Sequence, residues 1–292
     1  MMRARCFGKR TPDKHDDRKR HLFTMTILDK IIAEKRQEVA RREAETSAAA
    51  LHNAPLFTRP VLSARAALTA AGSSGIIAEF KRQSPSKGVI NGTAAAGATT
   101  AGYAAAGAAV LSVLTDEPFF GGTPADLAAA RAACPATPIL RKDFIISEYQ
   151  ITEARAMGAD LVLLIASCLT PAEVVQFSKY AHSLGLEVLL EVHDEAELRS
   201  HLANSVDLVG VNNRNLATFA TDVDTSARLA SLIPDTFVKV AESGLQHAST
   251  IVALRRAGYQ GFLIGETFMK TSDPAAALAS LVAELSAPLA AS

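Results

Sequence analysis

Ile76-Ile77-Ala78-Glu79-Phe80-Lys81 is the stretch on which the fold turns: a short apolar run that ends in charge. Seven runs of the same kind follow, at Val110–Thr115, Ile139–Phe144, Leu161–Ser167, Glu187–His193, Leu208–Arg214, Val238–Gly244 and Gly261–Thr267, with starts 21 to 34 residues apart. Each is strand-like in length and composition. The intervals hold Ala-rich or amphipathic stretches long enough for a helix, such as Pro171–Leu184 and Ala248–Ala257. Gly107, Gly158, Gly185 and Gly258 fall shortly before the next run, where a helix C-terminus favours glycine. Strands that alternate with helices give βαβ units and a parallel sheet. Eight such units in about 200 residues is the count and size of an α/β protein of the (β/α)₈ TIM-barrel class. The competing reading is an open doubly wound sheet. That fold usually has fewer strands and a G-x-G-x-x-G turn after its first one, and none follows Lys81.

Ahead of the first run the pattern changes. Ile27, Leu28, Ile31, Ile32 and Val39 recur at helical spacing among charges, which predicts an amphipathic helix over 27–45, with Thr26 and Asp29 as its start signal. Residues 46–75 are rich in Ala and Ser and carry Pro55 and Pro60, so they read as a short helix among loops. The expected organisation is a leader at 1–24, an extra N-terminal helical segment at 25–75 and the barrel itself at 76–292. The leader carries eight Lys/Arg against three Asp and no apolar core, which excludes a secretory signal. Its Asp content and scarce Ser argue against a transit peptide. A disordered basic tail, or an upstream start codon ahead of Met25, is the simpler reading, and its deletion should leave activity and stability nearly unchanged.

Net charge is zero, but without the leader 22 basic residues face 27 acidic ones. Nothing in that balance suggests a nucleic-acid partner. No apolar run approaches the roughly 20 residues of a membrane span. Cys6, Cys134 and Cys168 are far apart and odd in number, so neither a disulfide framework nor structural zinc is expected, and a cytoplasmic setting fits. No His/carboxylate set has metal spacing, so chelators should not inhibit.

The costly residues fall at one end of the predicted strands. Glu79 and Lys81 are two apart and share a face. Lys142 lies in the third run, Glu191 in an otherwise apolar fifth, Asn212 and Arg214 in the sixth, and Glu242-Ser243-Gly244 end the seventh. Any one of these is ordinarily a rim charge or half of an ion pair. Charges from five strands at the same end of a barrel are different: buried together they must pair with one another or with a ligand. Lysines and carboxylates in one pocket are the parts of general acid–base chemistry. Ser243-Gly244 and Gly265 follow strands seven and eight, where many barrels bind phosphate through backbone N–H groups. His193, just beyond Glu191, reads as a rim residue near the site.

These residues also carry a family resemblance. Glu79 to Ser86 resembles the E-x-K-x-x-S-P-S signature of indole-3-glycerol phosphate synthases. The similarity continues through LSVLTDEPFFGG (111–122), PILRKDFI (138–145), LLEVH (189–193), GVNNRNL (210–216), VAESG (240–244) and FLIGETFM (262–269), and covers about 25–290. It implies a cofactor-free carboxy-lyase of tryptophan biosynthesis, and it alone implies that the segment at 25–75 caps the barrel. The reaction converts 1-(2-carboxyphenylamino)-1-deoxyribulose 5-phosphate to indole-3-glycerol phosphate, carbon dioxide and water. By resemblance Lys142 is the general acid at the sugar carbonyl. Lys81 lies near the substrate's anionic groups and assists dehydration, while Glu79 and Glu191 take part in proton transfer. Asn212, Glu242 and Ser243 orient the substrate. Ser84, Gly244, Gly265 and Glu266 occupy phosphate-binding positions, Glu266 through its backbone N–H alone. Pro85, Phe120, Phe144 and Leu163 wall the anthranilate pocket, and Arg214 is expected to support the glutamates. A phosphosugar–anthranilate substrate, no nucleic acid, no membrane and a monomer complete the implied picture. Asn215 and Gly121 depart from the family's usual Asp and polar residue, and neither touches an assigned role.

Two alternatives remain at this point. A phosphoribosylanthranilate isomerase-like barrel would want a Cys/Asp pair at strand ends, and Cys134 and Cys168 lie outside the expected mouth positions. A non-catalytic phosphosugar-binding barrel would tolerate loss of Lys142 and Glu191, which are both present.

Overall fold

The computed structural model describes residues 25–215 and 218–287, so the leader at 1–24 lies outside the described residues. Eight parallel strands close into a barrel: β1 (Ile76–Phe80), β2 (Val110–Leu114), β3 (Ile139–Lys142), β4 (Leu161–Ile165), β5 (Glu187–Val192), β6 (Leu208–Asn212), β7 (Val238–Glu242) and β8 (Gly261–Ile264). Each strand pairs with its neighbours in sequence, and β1 meets β8 through Ile76↔Phe262 and Ile77↔Leu263. Closure rules out the open sheet. All eight strands coincide with the predicted runs, which extended a few residues further because the polar loop at each C-terminal end was read as strand.

The strands are nearly continuous apolar runs because both of their faces are buried. Ile76, Ala78 and Phe80 face the surrounding helices and join the outer core. Ile77 points inward with Val110, Leu140, Leu161, Leu189 and Val240, which fill the barrel. Glu79 continues the inward alternation, so the top layer of the barrel is where apolar side chains give way to charge. The predicted glycines Gly107, Gly158, Gly185 and Gly258 all have positive φ after their helices.

The N-terminal segment divides between the two ends of the barrel. Helix α1 (Ile27–Glu45) starts with a capping box between Thr26 and Asp29. Ile27, Leu28 and Ile31 lie over the mouth. The helix Ala64–Thr69 sits at the opposite end, where Ala64 and Leu68 pack with the first inward residues of the strands. A salt bridge from Arg59 to Asp160 fastens the chain between them.

Helix α1 is tied to the mouth by buried charge. Lys35, only 1% exposed, reaches Glu38 at 2.7 Å, Asp143 at 2.8 Å and Asp116 at 3.0 Å. Asp116 follows β2 and Asp143 follows β3. Asp143 is also gripped by Arg141 at 2.9 Å, which in turn reaches Glu153 at 3.2 Å. Burial would raise Asp143, but Arg141 and Lys35 hold it well below the usual carboxylate range.

Candidate active site

A cavity of about 420 Å³ opens at the C-terminal end of the barrel, and every one of the sixteen residues picked from the sequence lines it. The strand alternation explains why. Glu79, Lys142, Glu191, Asn212 and Glu242 are the last inward positions of five strands, so their side chains converge on the barrel axis.

The centre is a buried ion pair. Lys142 Nζ donates to Glu191 Oε2 at 3.0 Å. Asn212 Nδ2 donates to the other oxygen, Glu191 Oε1, at 3.0 Å. The Asn212 carbonyl accepts from Ser243 Oγ at 2.9 Å and from the backbone N–H of Arg214 at 3.0 Å, which fixes the orientation of the amide. Ser243 holds a left-handed backbone (φ 66°), which is uncommon for a residue with a side chain. A second pair, Lys81 with Glu79 at 2.6 Å, stands beside the first.

Three carboxyls and two lysines share the pocket. Burial would raise Glu191, but the Lys142 ammonium, His193 and the Asn212 amide outweigh it and lower its pKa to about 2. Burial pushes Glu242 the other way, well above 4.5, and the neighbouring Glu191 carboxylate adds to the push. Burial also works against the Lys142 ammonium, yet Glu191, Glu242 and Glu79 raise it above the ordinary lysine range. At neutral pH Lys142 is therefore charged and Glu191 ionised, while Glu242, whose Oε1 is buried with no hydrogen-bond partner among the described residues, is pushed toward its neutral form. The linkage sign follows: Glu242 is easiest to bury below about pH 4.5, and its cost to folding grows as pH rises toward its folded-state value. Infrared difference spectra of wild type against Glu242→Gln should show a protonated carboxyl band that persists above pH 4.5. A carboxylate band in its place contradicts this assignment.

Glycine makes room for this cluster. A Cβ at Gly210 would lie 2.2 Å from Glu242 Oε1 and 3.3 Å from both Glu242 Cδ and Leu189 Cδ1. A Cβ at Gly265 would lie 2.5 Å from Glu79 Oε1 and 2.9 Å from Glu79 Cβ. Gly210 was missed in the sequence because an unremarkable glycine inside a strand gives no sign of what it faces. Gly210→Ala should displace Glu242 and lower kcat by about a hundredfold, since misplacement of about an ångström costs that much. Steady-state kinetics beside a melting curve checks this; a kcat within about threefold of wild type shows that Glu242 tolerates the shift.

Several expectations are refined by the structure. Arg214 does not support the buried glutamates: it pairs with Glu266 at 3.2 Å and donates to Ser86 Oγ at 3.2 Å. The Glu266 carboxylate is thus neutralised by Arg214, with Lys87 at 3.6 Å. Gly244 has a packing reason as well as a place near the expected phosphate, because its φ is +77° and a Cβ would meet Thr221 at 2.6 Å. Cys168 lies closer to the site than its place in sequence suggests. Burial, and next the Glu191 charge, push its thiol up to about 12, so it is protonated and not a base. Sequence reasoning also missed Ile27, Leu28 and Ile31, which line the cavity from α1. The helix was expected to cap the barrel, but its spacing did not say which of its apolar residues reach the site. Among the described residues no group of three His, Cys, Asp or Glu is placed to hold a metal, and no helix is long and apolar enough to cross a membrane.

The sequence model of one family, described as indole-3-glycerol phosphate synthase, matches residues 28–281. A relative so named from Bacteroides thetaiotaomicron is 49% identical over 248 residues, covering 85% of this chain and 94% of its own. Another from Paracidovorax citrulli is 46% identical over 264 residues, covering 88% and 99%. Among solved structures, 3-hexulose-6-phosphate synthase from Salmonella typhimurium superposes with a TM-score of 0.56 at 13% identity, over 72% of this chain and 99% of that one. A likeness so distant in sequence speaks for the barrel fold alone.

Proposed function

We propose a division of labour in the mouth from the premise that this chain belongs to the indole-3-glycerol phosphate synthase family. The reaction is that of a carboxy-lyase of tryptophan biosynthesis: 1-(2-carboxyphenylamino)-1-deoxyribulose 5-phosphate closes to indole-3-glycerol phosphate with loss of carbon dioxide and water. The observation that carries the assignment of roles is the Lys142–Glu191 pair, a buried ammonium held 3.0 Å from a buried carboxylate at the centre of the cavity.

Ring closure joins the aromatic carbon that bears the carboxylate to the sugar carbonyl carbon. Electrons move onto the carbonyl oxygen, which becomes far more basic than an amine. Lys142, fully protonated, donates to that oxygen as it gains charge. Glu191 lies behind the ammonium and steadies the lysine as it loses and regains its proton. Carbon dioxide then leaves, and the apolar walls Pro85, Phe120, Phe144 and Leu163, with Ile27, Leu28 and Ile31 of α1, favour that step by keeping water from the substrate's carboxylate. Dehydration needs an acid for the departing hydroxyl and a base for the ring proton. Lys81 and Glu79, paired at 2.6 Å at the C-terminal end of β1, supply these two. Asn212 and Ser243 hold Glu191 in position, and Glu242 stands beside the pair with its pKa raised by burial. The phosphate lies against the backbone of Ser84, Gly244, Gly265 and Glu266, with Arg214 and Lys87 nearby.

Within the segment 25–75, α1 caps the mouth of the barrel at 76–292 and the helix Ala64–Thr69 covers its opposite end. The chain works as a cytoplasmic monomer without a cofactor or nucleic-acid partner, a reading supported by the mildly acidic body. Incubation of the purified protein with the substrate should give the fluorescence of the indole product, undiminished by EDTA. Isomerisation of a phosphoribosylated anthranilate instead, or binding without turnover, would favour one of the alternative barrels.

A further inference from the structure

Behind Glu191, on the side away from Lys142, stands an imidazole to which nothing above gives a task. His193 follows β5 and is mostly buried, its side chain 12% exposed. Its Nδ1 lies 3.1 Å from Glu197 Oε2, and the same oxygen accepts the backbone N–H of His193 at 2.7 Å. Glu197 is itself set by the start of the helix Glu195–His201, where its N–H donates to the capping Asp194 at 2.8 Å. The other ring nitrogen, Nε2, is fully buried and has no hydrogen-bond partner among the described residues. It faces Glu191 Oε1 at 3.4 Å, the oxygen that also accepts from Asn212.

We propose that His193 is a positioning residue for the reaction: clamped by Glu197, its imidazolium backs Glu191 and keeps that carboxylate ionised and aimed at Lys142. The inference rests on the division of labour proposed above. With Nδ1–H committed to Glu197, a neutral ring would present a lone pair to the Glu191 oxygen. A protonated ring presents an N–H there, close enough that a small shift completes the bond. Without that charge, Glu191 and Glu242 compete for one proton with only Lys142 and the Asn212 amide to decide between them. Glu191 would then take the proton part of the time and let go of the ammonium.

The groups that face His193 agree on the charge it carries. Burial disfavours the imidazolium, but the hydrogen bond to Glu197 and the charges of Glu191 and Glu197 outweigh it. Lys142 opposes them from β3, and the balance stays above 6.5. The Cys168 thiol, which feels the same two glutamates, is neutral. A group raised in this way is charged below its folded-state pKa and loses the charge as pH rises through it. The support it gives Glu191 is therefore greatest at neutral and acid pH and fades toward alkaline pH.

The test is the pH profile of kcat for wild type, His193→Gln and Glu197→Gln. His193→Gln should lower kcat about tenfold near pH 6.5, the loss of one hydrogen bond to a charged group, with KM within about twofold. The ratio of wild type to variant should shrink as pH rises, because wild type loses the same charge. Glu197→Gln should show the same trend more weakly, and it carries the test where His193→Gln does not fold. A loss that is uniform across pH, or that appears in KM alone, overturns the proposal and leaves His193 a packing residue. Turnover by wild type in the same assay separates the two levels: no product at all denies the reaction assigned above, whereas normal wild-type turnover with a flat ratio denies the role of His193 alone.

Discussion

Lys142→Met is expected to yield a folded barrel that has lost turnover, with kcat reduced at least 10²–10⁴-fold, about 3–5 kcal/mol of transition-state stabilisation. Methionine keeps the aliphatic stem in the cavity and removes the ammonium paired with Glu191. The residues proposed to hold the substrate's phosphate come from other strands, so KM for the substrate and affinity for a product analogue should change little, and the loss should appear in kcat. The ion pair decides the effect on stability. A lone half-buried ammonium would be costly, and its removal neutral or mildly stabilising. Here the ammonium compensates Glu191 and lies near Glu242 and Glu79. Its loss should therefore cost about 1–3 kcal/mol at neutral pH, recovered in part as Glu191 protonates on acidification. A kcat within about threefold of wild type would show that Lys142 is not the acid and would turn attention to Lys81.

Lys35→Met should be the largest stability effect outside the barrel core. Breaking a buried pair by removing one partner costs about 3–5 kcal/mol, because the remaining charges stay buried. Lys35 serves Glu38, Asp116 and Asp143 together. Asp143 keeps Arg141 and Glu38 keeps Arg42, but Asp116 loses its cation. Asp116 is already raised by burial, so without Lys35 it should take up a proton. In a chain of this size the loss corresponds to roughly 5–15 °C in Tm. Because α1 carries Ile27, Leu28 and Ile31 over the cavity, KM should rise as well. The double variant Lys35→Met with Asp116→Asn removes both charges and should recover part of the loss. Equal melting of wild type and Lys35→Met would show that the network does not fasten the helix.

The barrel was legible in the sequence because a parallel strand buried on both faces leaves an apolar run that stands out between helices. The top layer was legible for the opposite reason: Glu191 in Val188-Leu189-Leu190-Glu191-Val192 breaks such a run at a position where only function makes a charge worthwhile. Partners across the mouth were not legible. Neither the assignment of Glu191 to Lys142 and of Arg214 to Glu266, nor the raised pKa of Glu242, is written in spacing along one strand, since each depends on how strands from distant parts of the chain meet. Gly210 and Gly265 show the same limit, because the side chain each makes room for comes from another strand. Lys35 read as one more solvent charge on an amphipathic helix, and only the docking of α1 buries it.

A crystal structure with a substrate analogue whose sugar carbonyl has been reduced to a hydroxyl tests the central claim most directly. The account predicts that hydroxyl within about 3 Å of Lys142 Nζ, a distance at which proton transfer can occur. It also places the phosphate against the backbone of Gly244 and Gly265, and the aromatic ring between Phe144 and α1. A ring bound at the phosphate end, or a hydroxyl that meets Lys81 while Lys142 stays closed on Glu191, would contradict it.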